Sequence, residues 1–496
     1  MSAQIPRVRN WIGGEWIESV STEILDVINP ATGKPIAAVP LSTESELNMA
    51  IQVAKDAFPA WRATPAVDRA RPLFKLQTLM RDHFQDLART VTEENGKTLE
   101  EARGEVLRTI ENIEVAAGIP TLQLGDHAVD IAQGIDESSI REPIGTFLQI
   151  GPFNFPSMVP WWFAPYALAC GNTYVIKPSQ QTPLSQIKIA ELVERAGFPS
   201  GVLNIVHGAK NQSETLASHP DISGVSFVGS TPVAQSVYET ATRHGKRAQC
   251  QGGANNHLVV MPDAVLDAAI PNIFGSTFGC AGQRCLAGSV LIAVGDAYTE
   301  LKERVVETAH AMTIGNGLDP AVDMGPVISS ESKSRILDAI DAGLEDGATL
   351  LVDGRKVEVE GHPDGYWIGP TILDDVTPEM RVSQDEIFGP VLSLMRTESL
   401  DKAIELIHTS PFGNAASIYT NSGAAAREFA QRINIGNVGI NIGVAAPMAF
   451  FPFSGRKQSF FGDIHGQGHD VVRFFTDPKV VITRWPRHTD GRDPWD

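Results

Sequence analysis

Four cysteines in a chain of 496 residues are too few for a disulfide framework. They are Cys170, Cys250, Cys280 and Cys285, and no two stand in CxxC spacing, so structural zinc is not expected. Cation is also short: 40 Lys and Arg stand against 59 Asp and Glu, a net charge of −19. A chain this acidic repels phosphate backbones, which argues against nucleic acid as a partner. No apolar run is long enough to cross a bilayer. The most apolar stretch, Met158 to Cys170, is short and broken by Pro160 and Pro165, so it reads as a buried helix. The opening MSAQIPRVRNWIGGEW has no long apolar core and carries Glu15, so no secretory signal is expected. A reducing, cytoplasmic setting is the expectation, with no membrane partner. Repeats and low-complexity tracts are lacking. GxGxxG, the usual dinucleotide fingerprint, is lacking too.

What is there is a globular pattern, with 43% hydrophobic residues and cores to match. After short N-terminal strands, the stretch from Glu44 to about Ala117 turns helical. Leu99, Ala102, Val106, Ile110 and Ile113 recur at steps of three and four, which predicts one buried face. Leu124 to Arg141 predicts an extended hairpin. Then GTFLQI, TYVIKPS, VLNIVHG and GVSFVGS alternate with helical segments, the mark of parallel strands in a doubly wound sheet. A second α/β series begins beyond about Gly253. The final VVRFFTDPKVVITRW reads as exposed strands with a polar tail. A long apolar strand at a chain end suits pairing with another subunit, or an internal sheet edge.

Several loops carry candidate chemistry. FVGST puts Gly229 and Ser230 between a strand and a helix, where free N–H groups attract a pyrophosphate; an ordinary N-cap turn explains it equally well. KPSQQTP places Lys177 just past a strand, within reach of a ribose or simply in solvent. GPFNFP holds Asn154 between aromatics and prolines, where its amide can face a developing oxyanion or close an Asx-turn. FGCAGQRCLAGS sets Cys285 in a small-residue loop beside Arg284, which favours thiolate over thiol; a buried structural cysteine is the alternative. EIFGP places Glu386 before a tight turn, to orient a ribose, tune a nucleophile or sit on the surface.

Taken in order, GPFNFP, KPSQ, FVGST, QGGA, GQRC and EIFGP resemble the aldehyde dehydrogenase superfamily over nearly the whole chain. The resemblance implies a Rossmann-like cofactor domain (1–123 and 142–253), a second α/β catalytic domain (254–443) and a small β oligomerisation element (124–141 and 463–496). It implies a homodimer or homotetramer, and a dinucleotide bound without GxGxxG. Position by position, it implies Cys285 as nucleophile, with Asn154 and the Cys285 N–H as oxyanion hole. Lys177 and Gln180 would meet the adenosine ribose, Gly229 and Ser230 the pyrophosphate, Glu386 the nicotinamide ribose, with Phe388 beside it. Gly151, Phe153, Gln181 and Gly252 complete the implied cofactor set, and no metal is implied.

Departures from the pattern narrow the reading. Hydrolytic members carry a glutamate that activates water; the matching segment here is Gln251-Gly252-Gly253-Ala254. Glutamine takes no proton at neutral pH, so a thioester should wait for a thiol rather than water. This is the logic of the CoA-acylating methylmalonate-semialdehyde dehydrogenases, which GQRC, NNHLVVMPDA and SFFGDIHGQG also resemble. That group holds the substrate carboxylate with two arginines, matching Arg108 and Arg284. From the pattern alone, Arg108 with Glu105 and Glu111 three residues either side is an exposed ion-pair ladder. Gln251 stands where the group usually has Asn, and Asn255 where it has Lys. Gln180 replaces a usual Glu whose charge repels a 2′-phosphate, so NADP is open beside NAD. The expected activity is CoA-dependent oxidation of malonate or methylmalonate semialdehyde to acetyl-CoA or propionyl-CoA. The rivals are a hydrolytic NAD(P)-dependent enzyme for another small acidic aldehyde, a cysteine hydrolase without a redox step, and a non-catalytic binding or structural protein on this fold.

Overall fold

The computed structural model describes residues 5–485. Helix α1 (Leu99–Ala117) begins at a capping box: the Thr98 hydroxyl accepts from the Glu101 N–H, and the Glu101 carboxylate accepts from the Thr98 N–H. Its Ala102, Val106, Ile110 and Ile113 are fully buried, as the periodicity predicts. Strands β1 (His127–Ala132) and β2 (Ile135–Pro143) follow as the expected hairpin.

The doubly wound sheet is built next. Strands β3 (Thr146–Ile150), β4 (Thr173–Lys177), β5 (Leu203–Ile205), β6 (Ile222–Val228) and β7 (Arg247–Gln251) are all parallel. Their spatial order is β5-β4-β3-β6-β7, with helix α2 (Thr231–Arg243) between β6 and β7. The direction of winding reverses between β3 and β6. Such a switch point opens a crevice at the carboxyl ends of the strands. The loop GPFNFP leaves β3 there, and Gly229 and Ser230 leave β6. Between β3 and β4 the apolar stretch forms two short helical pieces, Val159–Trp162 and Ala164–Ala169, all buried. No helix among the described residues is long and apolar enough to cross a membrane.

The second sheet has seven strands, six of them parallel. Helix α3 (Leu266–Thr277) leads into the loop that carries Cys285, and the central strand Gly288–Val294 follows. Late in the chain, β8 (Phe460–Gly462) returns to the first sheet and pairs antiparallel with β7.

One expectation is corrected at the C-terminus. VVRFF is no exposed strand but part of helix α4 (Gly468–Phe475), whose Val471, Val472, Phe474 and Phe475 are buried in the first core. The four apolar residues flank Arg473 as pairs, which suits one helical face better than two faces of a strand. Phe475 packs edge-on against Phe147 at 4.8 Å. Only then does β9 (Thr476–Arg484) run out, pairing antiparallel with β2 from Thr476↔Pro143 to Arg484↔Ile135. The expected polar tail beyond it lies outside the described residues.

Candidate active site

Cys285 sits on a loop whose shape is set by three successive left-handed residues, Cys280, Ala281 and Gly282. Gly282 is required: a Cβ there would lie 2.1 Å from the Gly389 carbonyl of the EIFGP turn. The loop is pinned from the second sheet, because the Cys285 carbonyl accepts from Asn256 Nδ2 at 2.9 Å and Asn414 Nδ2 at 2.8 Å. Burial pushes the Cys285 thiol up to about 12, and the nearby Glu386 charge adds to this. Arg284 and the backbone N–H groups of Cys285 and Leu286 pull the other way and lose. The expectation that Arg284 makes a thiolate is right in sign but outweighed by desolvation. The Arg284 guanidinium is turned toward Gly275 O at 3.1 Å and the Cys280 sulfur at 3.4 Å.

Asn154 is buried, and its Nδ2 donates to the Gln283 carbonyl, two residues before Cys285, at 3.0 Å. One N–H of the amide therefore fixes it to the Cys285 loop and leaves a second to donate elsewhere. Its backbone is held by a pair that sequence reasoning missed. Lys97 Nζ donates to Asn154 O and to Glu105 Oε2, both at 2.6 Å, with both side chains wholly buried. Glu105 Oε1 accepts from the Ser157 and Met158 N–H groups at 2.7 and 3.1 Å. Lys97 also lies 3.9 Å from the Phe155 ring centre. The ion-pair ladder expected around Arg108 is thus half right: Glu111 pairs with Arg108 at 2.9 Å, whereas Glu105 turns inward. No local pattern announces Lys97, since one partner, Glu105, stands eight residues on and the other, Asn154, comes from another loop.

α1 also presents Glu101, Glu105, Arg108 and Asn112 to a cavity of about 340 Å3. Cys285 and Arg284 line the same cavity, with Gln467 and the apolar Phe155, Met158, Trp162 and Phe453. The structure therefore places both predicted arginines in one chamber with the predicted nucleophile. Arg108 rests there against Glu111 and the Met448 sulfur.

The other predicted residues gather at the switch point. Gly151 N–H donates to Lys177 O at 2.9 Å across β3 and β4. Lys177 is buried and donates to Pro178 O and Gly208 O at 3.0 and 2.8 Å; burial lowers it to about 8. Gln180 and Gln181 follow on the half-buried loop beyond. Ser230 is exposed at the N-cap of α2 and makes no capping bond among the described residues, so that helix end stays open to an anion. The backbone is crowded around it: a Cβ on Gly252 would meet Gln458 O at 2.5 Å, and one on Gly253 would meet Glu386 Oε2 at 2.3 Å. Glu386 Oε1 accepts from Ala254 N–H at 2.8 Å, and burial raises that carboxyl to about 7. Phe388 adopts φ +52° and stands edge-on to Phe153 at 5.9 Å. Gln251 is buried, and neither atom of its amide has a partner among the described residues. The open helix end and these close-set glycines fit a dinucleotide running from α2 toward Glu386.

A cysteine between two α/β sheets, with an amide beside it and a switch-point crevice behind, is the architecture of a cofactor-dependent dehydrogenase acting through a thioester. The chain belongs to the aldehyde dehydrogenase family, whose model matches residues 16–481. It is 51% identical to malonate-semialdehyde dehydrogenase 2 of Geobacillus kaustophilus (strain HTA426), over 98% of this chain and 100% of that one. It is equally similar, 51% over 97% of this chain and 98% of the other, to malonate-semialdehyde dehydrogenase of Halalkalibacterium halodurans. Among solved structures, methylmalonate-semialdehyde dehydrogenase from Oceanimonas doudoroffii superposes with a TM-score of 0.96 at 42% identity, covering 98% of this chain and 100% of that one. A Sinorhizobium meliloti 1021 chain assigned to the same activity, and solved with NAD, gives a TM-score of 0.97 at 42% identity, over 99% and 100%.

Proposed function

We propose that the protein oxidises malonate or methylmalonate semialdehyde with NAD and delivers acetyl-CoA or propionyl-CoA with release of CO2. The observation that carries this reading is the chamber in which Cys285 faces Arg108 and Arg284. An aldehyde bearing a carboxylate suits that chamber. Arg108 and Arg284 take the carboxylate, which sets the carbonyl carbon at Cys285. The Cys285 thiol releases its proton to solvent, the thiolate so formed adds to that carbon, and Asn154 Nδ2 with the Cys285 N–H donates to the oxyanion. Gly151, Phe153, Lys177, Gln180, Gln181, Gly229, Ser230, Gly252, Glu386 and Phe388 would hold NAD, which would supply the hydride acceptor. Gln180 puts no charge against a 2′-phosphate, so NADP is admitted as well.

The adduct that has lost hydride is a thioester on Cys285. Its acyl group carries a β-carboxylate and loses CO2, and the carbon left behind takes a proton from solvent. Gln251 then decides its fate. Lacking a base typically costs ~10²–10⁴ in rate, or ~2.7–5.4 kcal/mol of barrier. Water is therefore a poor acceptor, and the CoA thiol takes the acyl group and returns Cys285.

We assign 1–123 and 142–253, joined by β8 and α4, to the dinucleotide-binding domain, and 254–443 to the catalytic domain. The β1–β2–β9 sheet exposes Val129, Ile131, Val480 and Ile482 and is proposed to join subunits into a homodimer or homotetramer. The cytoplasm is the proposed setting. The test is reduced-nicotinamide absorbance with malonate semialdehyde, with and without CoA. Turnover that needs CoA and yields acetyl-CoA supports the reading; equal turnover without any thiol contradicts it.

A further inference from the structure

Gln467 lies in the cavity with Cys285 and Arg108, yet the mechanism above gives it no role. Its backbone is at φ 67°, ψ 176°, a region essentially reserved for glycine. Its side chain is buried, at 3% exposure. Nε2 donates to Asn112 Oδ1 at 3.1 Å, and Asn112 Nδ2 in turn donates to the Arg108 carbonyl at 2.8 Å. Oε1 has no hydrogen-bond partner among the described residues. A strained backbone, a buried unpartnered acceptor and a tie to the Arg108 turn thus meet at one residue.

The acceptor restricts what can satisfy it. A substrate carboxylate and a carbonyl oxygen are themselves acceptors, so neither bonds to Oε1 directly. The charged donors in this cavity are the two guanidinium groups. Arg284 is fixed to Gly275 O and the Cys280 sulfur. Among the described residues Arg108 bonds through Nη1 alone, to Glu111 and Met448, with about a third of its side chain exposed.

We propose that Gln467 is a positioning residue for Arg108. When a carboxylate enters, the Arg108 guanidinium leaves Glu111, donates to Gln467 Oε1 with one N–H, and presents the others to the substrate. The inference deepens the acidic-aldehyde reading and rests on it. It makes selectivity for an acid aldehyde a joint property of Arg108 and Gln467.

The test compares kcat/KM for malonate semialdehyde and for propanal, with NAD and CoA, in the full-length enzyme and its Q467G, Q467M, R108M and Q467G/R108M variants. Glycine tolerates this backbone conformation, so Q467G removes the amide without adding strain, and Q467M keeps the side-chain volume. The expected result is about a tenfold loss of malonate semialdehyde preference in both Gln467 variants, through KM, the size of a lost bond to a charged group. The double variant should be no less selective than R108M alone. Equal losses on both aldehydes, or additive losses in the double variant, would mean a merely structural role and overturn the inference. A wild-type enzyme with no preference for the acid aldehyde sinks the underlying reading instead.

Discussion

Cys285 and Glu386 set each other's chemistry. Desolvation holds the thiol near 12 and the carboxyl near 7, and ionised Glu386 pushes the thiol further up. Iodoacetamide reacts with thiolate, so alkylation of Cys285 should rise about tenfold per pH unit through the neutral and mildly alkaline range. Replacing Glu386→Gln removes an anion that disfavours thiolate. The alkylation profile should then move to lower pH, most clearly above about pH 7, where Glu386 is charged. An unmoved profile would separate the two groups. Gln251 makes the reverse case. Gln251→Glu restores a carboxylate in a buried place, where desolvation raises it toward a base useful near neutrality. CoA-independent turnover should climb by up to ~10²–10⁴, read as free acid in the products. Cys285 and Asn154 could be singled out together because their motifs are contiguous, and the structure brings their loops into contact. The thiol's state was not, because burial belongs to the folded chain.

Helix α1 is the element on which the site is hung. One face buries Ala102, Val106, Ile110 and Ile113; the next carries Glu101, Glu105, Arg108 and Asn112 into the cavity. The apolar face was plain from its period. The polar one read as a solvated ladder, since a sequence does not say what stands opposite a helix. Lys97 and Glu105 connect α1 to the Asn154 loop, and each is a buried charge whose loss strands the other. Lys97→Met should lower stability by about 3–5 kcal/mol in urea unfolding. It should also lower kcat, because Asn154 loses its backbone anchor. A variant as stable and as fast as the parent would remove the pair from the account. The misreading of α4 has a different cause: the β-branched and aromatic residues of VVRFF favour a strand, and the run is too short for its helical spacing to outweigh them. The buried ground that receives it, Phe147, Tyr174 and the helical piece Ala164–Ala169, is built by residues more than 200 positions earlier.

At the scale of the molecule, two parallel sheets bring a nucleotide crevice and a nucleophile loop together, and β8 and α4 tie the chain's end back to its first half. The alternation of strands and helices was legible in the sequence; the order of strands, and hence the switch point, was not, because it depends on pairing between distant segments. The exposed apolar β9 is expected to hold subunits together. V480D combined with I482D should therefore yield a smaller species by sedimentation velocity, with Cys285 still open to alkylation. A particle of unchanged mass would assign assembly to another surface. The central claim concerns the acyl group on Cys285, and intact-protein mass measurement reads it directly. Enzyme mixed with NAD and malonate semialdehyde, without CoA, should gain one acyl group on Cys285 and lose it when CoA is added. An unmodified enzyme that meanwhile releases free acid would contradict the account.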